Sequence, residues 1–403
     1  MNAVIHNSDW DLISPKTDKI IKTIPARKLW TQLLEARVTN GEPYIMFEDT
    51  VNELAPEEYK NEDIHIGTSN LCTEITLRTD DKHSGVCCLG SINLEYWDEY
   101  QHCFDQFIAD CSDYLDNILQ DFIDRTENLE GFERTRAGAI DERSLGLGVM
   151  GFHSLLQSKL IPWESPMAKG FNLKIFKQIK DSTDRHNKSV LHKYCPMSRR
   201  HSTARRNIHV TAIAPTMSIS SLCGVTSSGI EPWVTNAFTK KVKQGSFAIK
   251  NKYLENYIKG YFFDVMRNWD NPPSIQEGVV WESQQWNSIK KNNGSVQHLD
   301  WMPQEIKDVF KTAFELDQRY LLEFAGDRSP LIDQGQSLNI FIPAGSSVQY
   351  ISDLHILAWK KKIKSLYYIR SSAGVSASTS SNERKQINIK EVDMMSDTCL
   401  GCS

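Results

Sequence analysis

Residues 207–216 read NIHVTAIAPT, a stretch in which polar and apolar side chains alternate before the chain enters a loop of small residues. Such alternation is typical of a strand in a sheet. Around it, the periodicity of apolar residues predicts helices at residues 27–38, 102–125, 144–158, 301–324 and 347–363, with a short extended run at 42–47. Because strands alternate with long helices, we predict an α/β fold. Residues 253–293 show no clear period and receive no element.

Length and composition favour an ordinary globular protein with a prior of two to three domains at about 150 residues each. The 403 residues carry a net charge of −5, and 40% of them are hydrophobic. No basic surplus points to nucleic acid, no apolar run approaches the roughly 20 residues of a membrane span, and the N-terminus lacks the apolar core of a signal peptide. Nine cysteines are too sparse and too odd in number for a disulfide scaffold, which favours a cytoplasmic protein.

Residues 69–75, SNLCTEI, carry candidate catalytic side chains. If the segment is extended, Asn70, Cys72 and Glu74 share one face, because side chains alternate along a strand. An amide, a thiol and a carboxylate on one face can orient a hydroxyl, react at sulfur and accept a proton. A surface strand with a half-buried cysteine is the alternative, and the spacing alone slightly favours that plainer interpretation.

Three further segments allow both a functional and a structural interpretation. In residues 86–94, VCCLGSINL, the adjacent Cys87 and Cys88 would point to opposite sides of a strand, so only one of them can face a shared site. Residues 215–232, PTMSISSLCGVTSSGIEP, form a loop that could hold a phosphate or simply turn the chain. Residues 366–370, LYYIR, contain two tyrosines that could pass on an electron and a proton or only pack.

The C-terminus changes character. Residues 371–381 are small and polar and residues 382–390 add charge, which is typical of a flexible linker. The linker ends in Cys399 and Cys402, a CxxC pair suited to thiol–disulfide exchange or to half of a zinc site. Zinc is the weaker interpretation, because a structural zinc site needs four ligands and the chain has no second CxxC or HxxxH motif. A tethered dithiol could reach a buried disulfide and then face an external reductant.

Taken in order, these segments resemble the large catalytic subunit of class I ribonucleotide reductase. The matching stretches are SNLCTEI, CCLGSINL, the glycine-rich SLGLGVMGF, the serine-rich loop ending in GIEP, DQGQSLNIF, LYYIR and the terminal cysteine pair. The resemblance implies an α/β fold, with residues 1–370 forming the C-terminal half of that family's ten-stranded α/β barrel. A finger loop would carry the radical cysteine, and residues 371–403 would form the flexible redox-active tail.

The same resemblance implies reduction of ribonucleoside diphosphates to 2′-deoxyribonucleoside diphosphates by a thiyl radical, for DNA precursor synthesis. Cys72 would carry the radical, Glu74 would take a proton from the 3′-hydroxyl of the ribose, and Asn70 would hydrogen-bond the ribose. The substrate would be held by Ser69, Asn70, Pro215, Thr216, Met217, Ser218 and Ile219.

The resemblance also assigns the redox and radical-transfer residues. Cys87 would be one member of the cysteine pair that supplies the electrons, and Cys88 would be a filler. Tyr367 and Tyr368 would pass the radical from the small subunit, and Cys399 with Cys402 would re-reduce the disulfide. The chain would bind no cofactor or metal itself: the radical would come from the metal-containing small subunit, and thioredoxin or glutaredoxin would be the external reductant.

The family's large subunit carries a long N-terminal half ahead of the matched region, with the effector sites and the cysteine that pairs with Cys87. We therefore predict the C-terminal half of a split, phage-like subunit, working with a separate N-terminal half in the cytoplasm of a host cell. The alternatives are an inactive assembly paralogue, an anaerobic or cobalamin-type reductase, and a non-nucleotide thiol–disulfide oxidoreductase.

Overall fold

The computed structural model describes residues 1–190, 193–242, 245–265 and 274–372. Its strands are β1 (Asp9–Ile13), β2 (Ile20–Pro25), β3 (Ile45–Met46), β4 (Cys88–Asn93), β5 (Leu145–Met150), β6 (Ala237–Val242), β7 (Gly245–Lys250), β8 (Ile340–Ile342), β9 (Ser365–Leu366) and β10 (Ile369–Ser371). Its helices are α1 (Asn2–Ile5), α2 (Ala26–Asn40), α3 (Glu48–Glu53), α4 (Glu57–Asn61), α5 (Trp97–Tyr100), α6 (Phe104–Arg125), α7 (Glu133–Glu142), α8 (Phe152–Ser158), α9 (Pro166–Ser189), α10 (Pro196–His201), α11 (Ile219–Leu222), α12 (Lys252–Val265), α13 (Ile275–Lys291), α14 (Gln304–Val309), α15 (Gln318–Arg328) and α16 (Val348–Lys360). Within these ranges no helix is long and apolar enough to cross a membrane.

A run of parallel segments forms the sheet that carries the site. β4 and β5 pair in parallel over their whole lengths. Residues 209–213 lie parallel to β5 and are joined to it by an isolated bridge between Leu147 and Thr211. Residues 334–338 lie parallel to residues 209–213 on the other side, through a bridge between Ile213 and Gln336. β8 and β10 pair in parallel at the far end. The stretch at 207–216 is therefore extended and largely buried, as predicted, and the parallel order agrees with half of an α/β barrel.

The glycine-rich segment at 144–158 is where the helix prediction is wrong. Its first part forms β5, the chain turns at Gly151 with φ of 81°, and only α8 is helical. A Cβ on Gly148 would lie 2.3 Å from Ala212 O, and one on Gly146 would lie 2.9 Å from Cys87 Sγ. The glycines therefore serve close packing between strands, and a short apolar run does not distinguish a buried strand from a helix.

Of the remaining helix predictions, three are confirmed and one is wrong. The structure has α2, α6 and α16 where residues 27–38, 102–125 and 347–363 predicted helices. The single helix predicted at 301–324 is wrong, because α14 ends at Val309 and a new helix begins after Asp317, whose carboxylate accepts a hydrogen bond from Arg319 N at 2.9 Å. The unassigned stretch at 253–293 lies mainly in α12 and α13.

The two largest of three apolar cores among the described residues hold most of these elements. The larger one lies between the sheet and helices such as α6, α9, α15 and α16, with Phe152, Trp163 and Phe324 fully buried in it. A smaller one joins α12, α13 and α14 through residues such as Leu254 and Trp286. β10 includes Ser371, so the last strand of the barrel part extends one residue into the segment predicted to be the tail. Residues 373–403 lie outside the described residues.

Candidate active site

The finger loop, residues 67–76, is a closed turn and not the extended strand that the spacing argument assumed. Asn70 Oδ1 accepts a hydrogen bond from Ile75 N at 3.0 Å, and Thr73 N donates to Asn70 O at 3.1 Å. Thr73 has φ of 68°, in the left-handed region. The amide of Asn70 also hydrogen-bonds the carboxyl of Glu74, so the turn brings together two side chains that the strand argument placed on one face.

The sheet holds the finger loop from behind. Gly335 N donates to Glu74 O at 2.7 Å, and Ser365 Oγ donates to Thr73 O at 2.8 Å. Ser337 Oγ donates to Cys72 O and lies 3.2 Å from Glu74 Oε2. Gly335 and Ser337 belong to the parallel segment at 334–338, and Ser365 belongs to β9. These two segments therefore position the loop that carries the thiol and the carboxyl.

The thiol of Cys72 meets a cluster of tyrosines. Cys72 is 2% exposed, and its Sγ lies 3.6 Å from the Oη of Tyr367. The rings of Tyr367 and Tyr368 lie 4.3 Å apart between centroids. Burial, with the neighbouring Cys72 sulfur and Tyr368 hydroxyl, raises the pKa of Tyr367, so its phenol keeps its proton at neutral pH. A neutral phenol beside a thiol is an arrangement in which a hydrogen atom can move between oxygen and sulfur.

Tyr44 is a site residue that the sequence did not reveal. Its ring lies 4.5 Å from that of Tyr367 and 4.8 Å from that of Tyr368, and its hydroxyl donates to Glu42 Oε1 at 3.0 Å. Arg37 Nη2 donates to Tyr367 O at 2.9 Å from the same side. The available signal was a tyrosine in the short extended run at 42–47, which nothing local connects to a pair more than 300 residues away.

Glu74 is fully buried beside the thiol-bearing residue. Burial raises the pKa of its carboxyl, although hydrogen bonds from Asn70 and Ser337 oppose that effect. A carboxylate whose pKa is raised is a stronger base and so is better suited to take a proton from a hydroxyl.

Cys87 and Cys88 lie on opposite sides of their strand. Cys87 Sγ accepts a hydrogen bond from Gln334 Nε2 at 3.4 Å, and burial raises the pKa of its thiol to about 12. Cys88 packs against the larger core near Asp116, and burial raises its pKa as well. Among the described residues, Cys87 forms no disulfide.

The serine-rich loop follows the third parallel segment and is braced at both ends. Thr216, with φ of 54°, accepts a hydrogen bond on Oγ1 from Gly229 N at 2.6 Å, while Met217 is 62% exposed. Glu231 accepts hydrogen bonds from the N and Nδ2 of Asn339 at 2.6 and 3.0 Å. Asn339 Oδ1 in turn accepts from Tyr368 N at 3.0 Å, which ties this loop to the tyrosine pair.

A salt bridge braces the middle of the same loop from outside. Lys252 Nζ, at the start of α12, donates to Gly224 O at 3.1 Å and to Glu95 Oε2 at 2.8 Å. Glu95 also accepts from Tyr253 Oη at 2.9 Å. The smaller helical core is thereby connected to the loop.

The structure brings most of the predicted site together. Asn70, Cys72, Glu74, Tyr367 and Tyr368 are linked by direct contacts or by Ser337, and Cys87 is linked to the finger loop by Gln334. Ser69, Pro215 and Ile219 are partly buried and Ser218 is exposed. Cys399 and Cys402 lie outside the described residues. Within the described ranges, no group of three His, Cys, Asp or Glu side chains could hold a metal ion.

Comparisons with known proteins agree on one family. The family model "Ribonucleotide reductase, barrel domain" matches residues 1–189 and 198–369. The large subunit of ribonucleoside-diphosphate reductase from Invertebrate iridescent virus 3 is 40% identical over 90% of this chain and 55% of that protein. A putative large subunit from Frog virus 3 is 36% identical over 93% of this chain and 63% of that protein. The solved class Id ribonucleotide reductase α subunit of Actinobacillus ureae superposes with a TM-score of 0.76 at 32% identity, covering 87% of this chain and 62% of that one. The chain thus spans less than two thirds of each of these proteins.

Proposed function

Because this chain belongs to the ribonucleotide reductase barrel-domain family, we propose that it forms the catalytic part of a ribonucleoside-diphosphate reductase. The reaction would replace the 2′-hydroxyl of a ribonucleoside diphosphate by hydrogen, for DNA precursor synthesis. The observation that carries the proposal is the buried Cys72 Sγ at 3.6 Å from Tyr367 Oη, with the ring of Tyr368 packed against the ring of Tyr367.

In the proposed mechanism, a radical reaches Tyr368 from a metal-containing small subunit and passes to Tyr367. The phenoxyl oxygen of Tyr367 takes the hydrogen atom of the Cys72 thiol, which leaves a thiyl radical on sulfur. That sulfur then abstracts the 3′ hydrogen of the ribose, Asn70 hydrogen-bonds the ribose, and Glu74 takes the proton of the 3′-hydroxyl. The short route through Tyr367, together with the raised pKa of Glu74, supports this order of events.

The reduction needs two electrons, and we propose that Cys87 supplies one of them. Water leaves from the 2′ carbon while the sulfurs of Cys87 and of a second cysteine lose one electron each and form a disulfide. One thiol hydrogen leaves with the water as a proton and the other is transferred to the 2′ carbon. Cys72 then returns the hydrogen atom to the 3′ carbon, and Glu74 returns the proton to the 3′ oxygen. Cys399 and Cys402 would then exchange with that disulfide and be re-reduced by thioredoxin or glutaredoxin. The diphosphate would lie against Ser69 and the segment of Pro215, Thr216, Met217, Ser218 and Ile219, where α11 begins.

We further propose that a separate N-terminal half supplies the second cysteine and the rest of the barrel. Two observations within the described part of the chain support it: Cys87 forms no disulfide there, and the strand that β4 pairs with there is β5 alone. An unpaired strand edge favours another strand beside it. The assembled enzyme would act in the cytoplasm, of a host cell if a virus or phage encodes it.

The test is CDP reduction by the chain combined with the N-terminal half, the small subunit and a small dithiol. Tyr367→Phe removes only the hydroxyl next to Cys72, so we expect turnover to fall below detection while CDP binding persists. Tyr320→Phe, at an exposed position on α15, is the matched control and should keep full turnover.

Full CDP reduction by Tyr367→Phe would refute the radical route. A thiol–disulfide oxidoreductase would be indifferent to this change, and an inactive paralogue would not reduce CDP even before it. Robust turnover by the chain with only the small subunit and dithiol would contradict the need for a separate half.

A further inference from the structure

One buried carboxamide touches both the redox cysteine and the finger loop. Gln334 is 1% exposed. Its Oε1 accepts a hydrogen bond from Thr76 N at 3.1 Å, and its Nε2 lies 2.9 Å from Leu145 O and 3.4 Å from Cys87 Sγ. No role was predicted for this residue from the sequence beyond its place in DQGQSLNIF.

The neighbours determine which way the carboxamide faces. A backbone N–H can only donate, so the atom next to Thr76 N must be the carbonyl oxygen. A backbone carbonyl can only accept, so the atom next to Leu145 O must be the amide nitrogen. That nitrogen carries two hydrogens, and the second one is directed to the sulfur of Cys87. The side chain therefore has every donor and acceptor group in use at a position closed to water.

Other groups hold Gln334 itself in place. Its backbone N donates to Thr211 O at 3.0 Å, and the buried Lys364 Nζ donates to its backbone O at 2.7 Å. Gly146 faces Cys87 from the neighbouring strand, where a Cβ would come within 2.9 Å of the sulfur. The sulfur thus has space next to a donor whose position is set by the sheet.

We propose that Gln334 is a positioning residue that donates an N–H to the Cys87 sulfur while its carbonyl oxygen anchors the finger loop. The importance of this for turnover rests on the proposed function, but the sulfur contact does not. A donor beside the sulfur stabilises the thiolate, the form that reacts as a nucleophile and forms disulfides. Because one side chain contacts both Cys87 and Thr76, it also fixes the position of the electron-donating cysteine relative to the finger loop.

The electrostatics of Cys87 agree with this assignment. Burial raises the pKa of its thiol, and the hydrogen bond from Gln334 acts in the opposite direction. Without the donor, the thiolate would be still less favourable at this position.

The test measures alkylation of Cys87 by iodoacetamide at pH 8.5 in the full chain, read from the Cys87 peptide by mass spectrometry. Gln334→Glu keeps the acceptor for Thr76 but places carboxylate oxygen beside the sulfur. We expect alkylation to slow about tenfold, which corresponds to one unit in the thiol pKa. Gln334→Met lacks both groups and should slow alkylation as well. A purely structural role predicts the opposite sign, because a loosened site exposes the thiol and speeds alkylation.

Gln336→Met is the matched control, because Gln336 is an equally buried carboxamide that binds Arg328 and Ala325 O and not the cysteine. It should leave alkylation unchanged or faster. Hydrogen exchange at Thr76 should speed up in Gln334→Met and stay slow in Gln334→Glu. Alkylation at the original rate or faster in a folded Gln334→Glu chain would overturn the proposal, and if that variant does not fold, the same result in Gln334→Met decides. Neither measurement uses substrate or partner chains. The role of Gln334 is therefore tested independently of whether the chain has reductase activity.

Discussion

Gly148 allows the sharpest prediction about the fold, because replacing it by Ala adds a single methyl group between two strands. That Cβ would lie 2.3 Å from Ala212 O and 3.1 Å from Ile213 Cα, whereas ordinary contacts begin at 3.4 Å. Both atoms are backbone, so the strands must separate by about 1 Å and cannot relieve the clash with a rotamer change.

The separation weakens two hydrogen bonds, Leu147 N to Val210 O at 2.7 Å and Ala212 N to Leu147 O at 3.3 Å. At about 1 kcal/mol for each bond, with about 1–3 kcal/mol of overpacking strain, Gly148→Ala should lower the free energy of unfolding by about 3–5 kcal/mol. That is a large part of the roughly 5–15 kcal/mol by which domains are stable.

Urea unfolding followed by circular dichroism measures the change, through the midpoint at constant slope. Gly170 is the control: it lies within α9, and a Cβ there would meet nothing within 4 Å. Gly170→Ala should therefore stabilise the chain by about 0.5–1 kcal/mol. If the free energy of unfolding of Gly148→Ala stays within about 1 kcal/mol of that of the unchanged chain, the two strands do not approach as closely as described.

Three further predictions concern the tail, the serine-rich loop and pH. Serine at both Cys399 and Cys402 should leave CDP reduction with a small dithiol largely intact but abolish it with thioredoxin, and equal loss with both reductants would refute the shuttle. Lys252→Met should raise KM for CDP about fivefold with a smaller change in kcat, as expected for about 1 kcal/mol lost at the loop. Lys259→Met on the same helix is the control. An unchanged KM in Lys252→Met would refute the idea that Lys252 stabilises the serine-rich loop for substrate binding. Burial raises the pKa of Glu142 to about 7, so the folded chain holds this proton more tightly than the unfolded one. The free energy of unfolding should therefore fall as pH rises from about 4.5 to about 7. Glu142→Gln has no carboxyl to titrate, so its decrease over this range, measured by urea titration, should be smaller by about 3 kcal/mol. Parallel pH profiles for the two chains would contradict it.

Local pattern predicted the elements whose environment is regular. The apolar stripe of α6 faces the larger core on one side, so its period is visible in the residues. The stretch at 207–216 is buried on both faces, but its residue types still alternate between polar and apolar, and that alternation predicted an extended segment. Residues 145–150 are buried on both faces, so no alternation distinguishes a strand there, and the prediction failed. The residue types at 69–75 gave candidate catalytic side chains, although the spacing assumed a strand. The turn that brings Asn70 to Glu74 depends on Thr73 in a left-handed conformation that the pattern did not indicate.

The sequence alone was enough to indicate an α/β chain and the order of its motifs, because these follow from residue identity and short-range periodicity. It assigned roles to Cys72, Glu74 and the tyrosine pair only through the resemblance that those motifs carry. Only the tertiary structure brought Cys72 to Tyr367 across 295 residues of chain, added Tyr44 to the tyrosine cluster, and placed Gln334 between Cys87 and Thr76. The physical reason is that such contacts depend on how parallel strands lie beside one another. That arrangement is decided by burial and backbone hydrogen bonds between distant segments, and not by the propensities of neighbouring residues.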